Sequence, residues 1–240
     1  MPHRRLESAV IVIIPAYNEE TRIGPVIEAI RSTGLDLEIA VIDDGSRDGT
    51  AEAVTRAGAI VIRHPFNMGY GAALQTGYKY ALRQGADLLI QMDADGQHDP
   101  EQIPRLAEPI LRGECDLVIG SRFLVPTGYE MGALRTLGRR VFQGLGRIAG
   151  VEVTDPTSGY QALNRKVLAL YARDDFPHDF PDIDVLLMAA RSGLRIQEVP
   201  ATMQESPRAS TLHGGWRAFY YVYKMLLSMW ALTARPKGKH

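Results

Sequence analysis

The chain of 240 residues has a single cysteine, Cys115, so no internal disulfide can form and the composition fits a reducing compartment. An excess of one charge is also missing. With 27 Lys and Arg against 28 Asp and Glu the net charge is -1, and no overall field draws the chain to nucleic acid. Nor is there an apolar run long enough to span a bilayer: the longest, Ala218 to Ala234, is interrupted by Lys224 and falls short of the roughly 18 to 20 residues required. AVIVII near the N-terminus is shorter still and runs straight into PAYNEE without a small-residue cleavage site, so it reads as a first strand, not a signal peptide. Internal repeats and low-complexity linkers are absent. Acidic residues stop at Glu205; beyond it stand Arg208, Arg217, Lys224, Arg235, Lys237 and Lys239, a tail of +6 that leaves -7 on the remainder of a chain whose total is -1. These contrasts predict one folded domain over 1–212 and an amphipathic basic helix and tail over 213–240.

What the chain does have is alternation. Runs rich in Val and Ile at 9–14, 38–43, 59–64, 87–92 and 116–121 are separated by helical patterns at about 21–32, after Thr50, at 69–84 and from near Pro100. Strands that are continuously apolar are covered on both faces, and the helices supply crossovers, so a mostly parallel α/β sheet of Rossmann-like type follows. The stretch 123–150 is rich in Gly and Arg and reads as a loop leading into a basic helix. TSGYQALNR then suggests a strand and turn, followed by helices at 166–171 and 184–192 and a closing edge strand at 196–200.

In an open parallel sheet, ligands bind beyond the carboxyl ends of the strands. Those ends carry Pro15-Ala16-Tyr17-Asn18-Glu19-Glu20, Asp43-Asp44-Gly45-Ser46, Pro65-Phe66-Asn67, Asp93-Ala94-Asp95 and Arg122. In MDADGQHDP the acids Asp93 and Asp95 have no basic neighbour, and carboxylates so close repel unless a cation or donors compensate. With Gln97 they offer hard oxygen donors of the kind Mg2+ and Mn2+ prefer, the remaining ligands being water and phosphate. The bland alternative is a helix-capping turn, a role assigned here to Asp99. Gly69 and Gly71 begin a G-x-G-x-x-G pattern that fails at Leu74 and follows the wrong strand, which excludes a Rossmann dehydrogenase.

VIIPAYNEE, VIDDGSRDGT, NMGYGAALQTGYKYA, MDADGQ, IGSRF and TDPTSGYQALNR occur in that order. Together they resemble family 2 glycosyltransferases of the GT-A fold, and especially the branch that transfers mannose or glucose to polyprenol (dolichol) phosphate. The resemblance spans about residues 8 to 225. It implies that Pro15, Tyr17, Asn18 and Glu19 wall a nucleotide pocket and that Asp43 reads base or ribose with Asp44 close by. It also implies that Gly71, Asp93, Ala94 and Asp95 line the nucleotide-sugar site, with Asp93, Asp95 and Gln97 holding a divalent metal, Mg2+ or Mn2+. By the same resemblance Arg122, with Arg139 or Arg140, meets the phosphates of donor and acceptor. Asp155 and Ser158 lie beneath the sugar, and Asp184 either acts as general base toward a hydroxyl acceptor or, with a phosphate acceptor, orients sugar or Arg groups. Asp95, Arg122 and Asp184 are thus the expected catalytic set.

The implied reaction is inverting hexose transfer from a nucleotide-diphosphate sugar of the GDP-mannose or UDP-glucose type to a polyprenyl phosphate. The alternatives are the same donor chemistry with a glycan hydroxyl as acceptor, and a nucleotide-sugar-binding protein without turnover. One departure concerns the acceptor: where the branch has R-x-x-G-x-S-K after its E-V-P strand, this chain reads SPRASTLHGG, keeping Arg208 and Ser210 without the Gly and Lys. In the tail, Trp216, Phe219, Tyr220, Tyr223, Leu226, Leu227 and Trp230 form a stripe at helical spacing. Such a helix packs on its own domain, on a second subunit or membrane-protein partner, or lies in the headgroup zone of an anionic membrane. The expected location is cytoplasmic, peripheral on the inner face of the membrane.

Overall fold

Strand β1 (Val10–Ala16) is buried along its whole length, and its residues divide by parity. Ile11 and Ile13 enter one core cluster and Val10, Val12 and Ile14 the other, because successive strand side chains point to opposite faces. Each such fully buried Val or Ile contributes about 1.5–3 kcal/mol of burial, which is why the run lacks polar alternation. The computed structural model describes residues 9–124, 153–177, 181 and 183–203. Arg139, Arg140 and the basic tail of 213–240 lie outside the described residues.

In chain order the elements are β1, α1 (Ile23–Ser32), β2 (Glu38–Asp43), α2 (Thr50–Arg56), β3 (Ile60–Arg63), α3 (Tyr70–Arg83) and β4 (Leu88–Gln91). A 3-10 turn (Pro100–Gln102) follows, then α4 (Ile103–Leu111), β5 (Leu117–Ser121), β6 (Gln161–Asn164), α5 (Arg165–Tyr171), α6 (Ile183–Arg191) and β7 (Ile196–Pro200). The strands form one seven-stranded sheet in the order β3-β2-β1-β4-β6-β5-β7. Helices α1 and α4 contribute to the core on one face, and α3, α5 and α6 to that on the other.

The expected alternation is present, with two differences. β3 is an outer edge strand whose residues are at best half-buried, so it lacks the double cover of its neighbours. β6 runs antiparallel between β4 and β5, pairing Ile90 with Ala162 and Val118 with Ala162. The helix expected from Pro100 begins with the 3-10 turn, and Asp99 caps it by accepting the Glu101 N–H at 3.1 Å. The order reverses between β1 and β4: β2 and β3 extend outward from one side of β1, and β4 continues on the other. That switch point opens a crevice beyond the carboxyl ends of the two strands, bounded by PAYNEE and MDADGQ.

Candidate active site

The loops after β1 and β2 are laced to each other. Asn18, in a left-handed conformation with φ of 56°, accepts the Arg47 N–H on Oδ1 at 2.9 Å and donates its own N–H to Ser46 Oγ at 2.9 Å. The Glu19 N–H donates to Thr50 Oγ1 at 2.9 Å, while Tyr17 stays exposed. Pro15 remains within β1 opposite Ile42, one residue before the pair Ala16 and Asp43.

Asp43 and Asp44 then part company. Asp43 is fully buried and accepts the Ser46 N–H on Oδ1 at 2.9 Å. Arg63 Nε lies 3.1 Å from Oδ2 as an ion pair, yet its N–H is not aimed to form a hydrogen bond. Oδ2 is therefore a buried side-chain acceptor without a hydrogen bond, the sole such atom among the described residues. Buried acceptors are ordinarily hydrogen-bonded, and here the half-exposed Arg63 offers the nearest charge. Asp44 has both oxygens committed: Oδ1 lies 2.8 Å from His64 Nδ1 and accepts the Met68 N–H at 2.8 Å, and Oδ2 accepts the Gly69 N–H at 2.9 Å. It shapes the turn into α3, whose first turn contains buried Gly71. Gly45, with φ of 70°, sits where a Cβ would run into the Phe66 carbonyl carbon, so only glycine fits.

Beyond β4, Asp93 is held from several sides. Tyr70, the first residue of α3, donates its hydroxyl to Oδ1 at 2.9 Å. The Asp93 N–H donates to His98 Nδ1 at 3.1 Å, and His98 Nε2 lies 3.6 Å from Oδ2. Burial lowers the His98 pKa, which matches the unprotonated Nδ1 this acceptor role requires, and its ring stacks on Tyr160 at 4.7 Å. Gly159 closes the remaining side: a Cβ there would lie 2.5 Å from Asp93 Oδ2. Ala94 is buried, and Asp95 accepts the Gln97 N–H on Oδ1 at 2.9 Å. Burial raises the Asp95 pKa despite that bond, and the Asp93 carboxylate adds to the rise. Among the described residues no group of three His, Cys, Asp or Glu is placed to hold a metal ion. Asp93 and Asp95 could hold a hard cation only with further oxygens from other groups.

At the end of β5 the Arg122 guanidinium forks onto Asp155, Nε to Oδ2 at 2.7 Å and Nη2 to Oδ1 at 2.8 Å, with Nη2 also donating to Thr157 Oγ1 at 3.2 Å. A phosphate meeting Arg122 would share it with this buried acid. Ser158 donates its hydroxyl to the Gly120 carbonyl at 2.7 Å, a structural bond beneath the rim. Asp184 is buried in the first turn of α6, where Oδ1 accepts the Val185 N–H at 2.9 Å, and its charge helps burial to raise the pKa of Tyr171.

Several residues that build the site were not singled out from the sequence: Tyr70, His98, Gly159 and Glu198. The first three lie inside motifs already noted, where the eye rests on glycines and acids. Glu198 carried no signal beyond its place on an edge strand.

The sequence profile described as Glycosyl transferase family 2 matches residues 11–171, two thirds of the chain and nearly the whole rim just described. The chain belongs to glycosyltransferase family 2. The enzyme is 34% identical over 242 residues to an undecaprenyl-phosphate mannosyltransferase of Micrococcus luteus, covering 95% of this chain and 96% of that one. It is 34% identical over 207 residues to a polyprenol monophosphomannose synthase of Mycolicibacterium smegmatis, covering 81% and 77%. Among solved structures, a glucosyl-3-phosphoglycerate synthase of Mycobacterium tuberculosis in complex with Mn2+ and UDP-glucose superposes with a TM-score of 0.70 at 26% identity, over 92% of this chain and 79% of that one. The sheet and its flanking helices are those of a GT-A glycosyltransferase.

Proposed function

We propose that this glycosyltransferase moves a hexose from a nucleotide-diphosphate sugar to a polyprenyl phosphate, with inversion and with a divalent cation. The observation that carries the reading is the pair Asp93 and Asp95 at the switch-point end of β4, with Asp95 raised in pKa by burial and by its neighbour's charge. The missing positive charge fits a cation that arrives with the substrate's diphosphate. When bound, that cation supplies Lewis-acid stabilisation of the departing diphosphate. Asp95, with Asp93 and Gln97, would hold it, and Oδ2 of Asp43, ion-paired to Arg63 but without a hydrogen bond, would accept an N–H or hydroxyl of the nucleoside. The complex of the M. tuberculosis neighbour with Mn2+ and UDP-glucose supports the donor class.

The undecaprenyl-phosphate mannosyltransferase and the polyprenol monophosphomannose synthase that this chain resembles support a polyprenyl phosphate as acceptor. A phosphate oxygen attacks the anomeric carbon as the bond to the diphosphate breaks, and the nucleoside diphosphate leaves. An anionic phosphate needs no general base, which suits an Asp184 that is buried and hydrogen-bonded to its own helix. Arg122, together with Arg139 or Arg140 outside the described residues, would receive the phosphate. Among the described residues no helix is long and apolar enough to cross a membrane. The basic, aromatic tail of 213–240 would bring the enzyme to an anionic membrane surface as a peripheral protein on the cytoplasmic face.

The test is a panel of nucleotide sugars offered with a short polyprenyl phosphate and Mg2+ or Mn2+. Transfer to the lipid is expected, and Asp95→Ala is expected to abolish divalent-dependent donor binding. Labelling of a glycan but never of the lipid would replace the acceptor, and unchanged donor binding by Asp95→Ala would remove the metal assignment. Removal of residues 216–240 is expected to lower association with anionic liposomes at low salt; full retention would refute the membrane role of the tail.

A further inference from the structure

Glu198 lies on the outermost strand β7, in register with Ile119 of β5, and its carboxylate is turned onto the segment preceding β6. Oε2 accepts the Thr154 N–H at 2.7 Å, and Oε1 accepts both the Asp155 N–H at 2.8 Å and the Thr154 hydroxyl at 3.0 Å. Two consecutive backbone donors and a hydroxyl are thus gathered by one side chain. Asp155, fully buried, in turn accepts from Arg122 three times: from its N–H at 3.1 Å, from Nε at 2.7 Å and from Nη2 at 2.8 Å. Thr154 is tied to β5 as well, its Oγ1 lying 2.6 Å from Ser121 Oγ. The chain of contacts Glu198, Asp155, Arg122 therefore begins on a strand outside the rim and ends on a guanidinium at the rim.

We propose that Glu198 is a positioning residue for sugar transfer, setting the Asp155 carboxylate and through it the Arg122 guanidinium that meets substrate phosphate. This rests on the function proposed above for Arg122. The physical reason is that a guanidinium on a long side chain has many rotamers, and a fork onto a fixed carboxylate selects one. Asp155 can serve only if its own backbone is held, and the held atoms are the N–H groups of residues 154 and 155. A mere turn cap on an edge strand would need one such bond. Here the donors lie in the two residues whose placement decides where the Asp155 side chain points.

The charge at Glu198 matters as much as its length. Both oxygens act as acceptors, so Glu198→Gln places an amide N–H against a backbone N–H on one side, and the turn must shift to relieve it. Displacements of about 1 Å at a phosphate-positioning group cost on the order of 100-fold in rate.

The experiment is a double-mutant cycle between Glu198→Gln and Arg122→Ala on kcat/KM, with binding of the donor nucleotide and Mn2+ measured in parallel. Glu198→Gln alone is expected to lower kcat/KM by about 10- to 100-fold while nucleotide affinity stays within about twofold. In the Arg122→Ala background it is expected to have little further effect, since its path to the substrate is gone. Glu198→Asp, which keeps the charge on a shorter arm, is expected to retain more activity than Glu198→Gln, and it repeats the cycle if the Gln variant does not fold. Additive effects of the two substitutions, or a loss confined to thermal stability, would overturn the proposal. The cycle is read on transfer to the lipid phosphate, so a wild-type enzyme that labels no lipid phosphate refutes the acceptor reading, whereas additive effects on a wild type that does label it refute this inference.

Discussion

Gly159→Ala adds one methyl group, and the structure says where it goes. Its Cβ would lie 2.5 Å from Asp93 Oδ2 and 3.0 Å from both Cγ and Oδ1, against an ordinary contact of 3.4 Å or more. The Asp93 carboxylate must therefore retreat by about 0.9 Å, the difference between the 2.5 Å approach to Oδ2 and an ordinary 3.4 Å contact. Retreat breaks or stretches the 2.9 Å bond from the Tyr70 hydroxyl, worth about 1–2 kcal/mol at a charged acceptor. Residue 159 is not among the positive-φ positions, so alanine meets no backbone strain and recovers about 0.4–1 kcal/mol by restricting the unfolded chain. The net effect on stability is then about 0–1.6 kcal/mol, a shift in Tm of at most roughly 6 °C. The effect on function is expected to be much larger, on the order of 100-fold in kcat/KM, because the misplaced group belongs to the site proposed for the metal and diphosphate. The assay pairs a melting curve with kcat/KM and a titration of donor nucleotide with Mn2+. Wild-type kcat/KM would refute the reasoning. So would a further loss when Gly159→Ala is added to Asp93→Ala, which has no carboxylate left to displace.

Two further predictions concern the far end of the sheet. Asp116 is buried and accepts the Arg195 N–H at 2.9 Å and the Asn164 side-chain N–H at 2.8 Å. Burial opposes its charge, but these donors with Lys166 outweigh it and hold its pKa below the ordinary carboxylate value. Its charged form therefore adds stability above about pH 4, the unfolded value, and that contribution fades as pH falls through the lower folded value. Asp116→Ala is expected to cost about 2–3 kcal/mol near neutral pH and less in acid; an equal cost at both, measured by urea unfolding, would contradict the assignment. Cys115 is buried, and burial pushes its thiol up to about 11, so a thiol reagent at pH 7 to 8 is expected to label it only as the protein unfolds. Rapid labelling of the native protein would show that this corner opens.

The parallel half of the sheet was legible in the sequence because burial on both faces leaves a mark that periodicity can read. Ala9 to Ile14 and Ile39 to Ile42 are apolar at consecutive positions, and the observed β1 and β2 begin within one residue of those runs. The antiparallel β6 was legible as a strand and not as a direction. QALN has no alternation to expose a face, and its orientation depends on how the chain returns from β5, not on any residue within it. The acids at the strand ends were legible as a group for the same reason the strands were, since ligands of open α/β sheets collect there.

What composition and spacing did not reveal is which acid reads a ligand and which builds the rim. Asp43 and Asp44 are neighbours in a motif, yet a strand end sends successive side chains to opposite sides. One side leads to the edge of β2, where Asp43 keeps an acceptor without a hydrogen bond. The other leads under the β3–α3 turn, where Met68, Gly69 and His64 supply three donors to Asp44. The same division separates Asp95, whose charge burial disfavours, from Asp155, which three Arg122 donors surround. In each pair the residue saturated by protein donors has its place set by the fold, and the under-compensated one is the residue proposed to meet substrate or its cation. Hydrogen bonds between loops distant in sequence decide that assignment. It is visible only once β1, β2, β4 and β5 have been brought side by side.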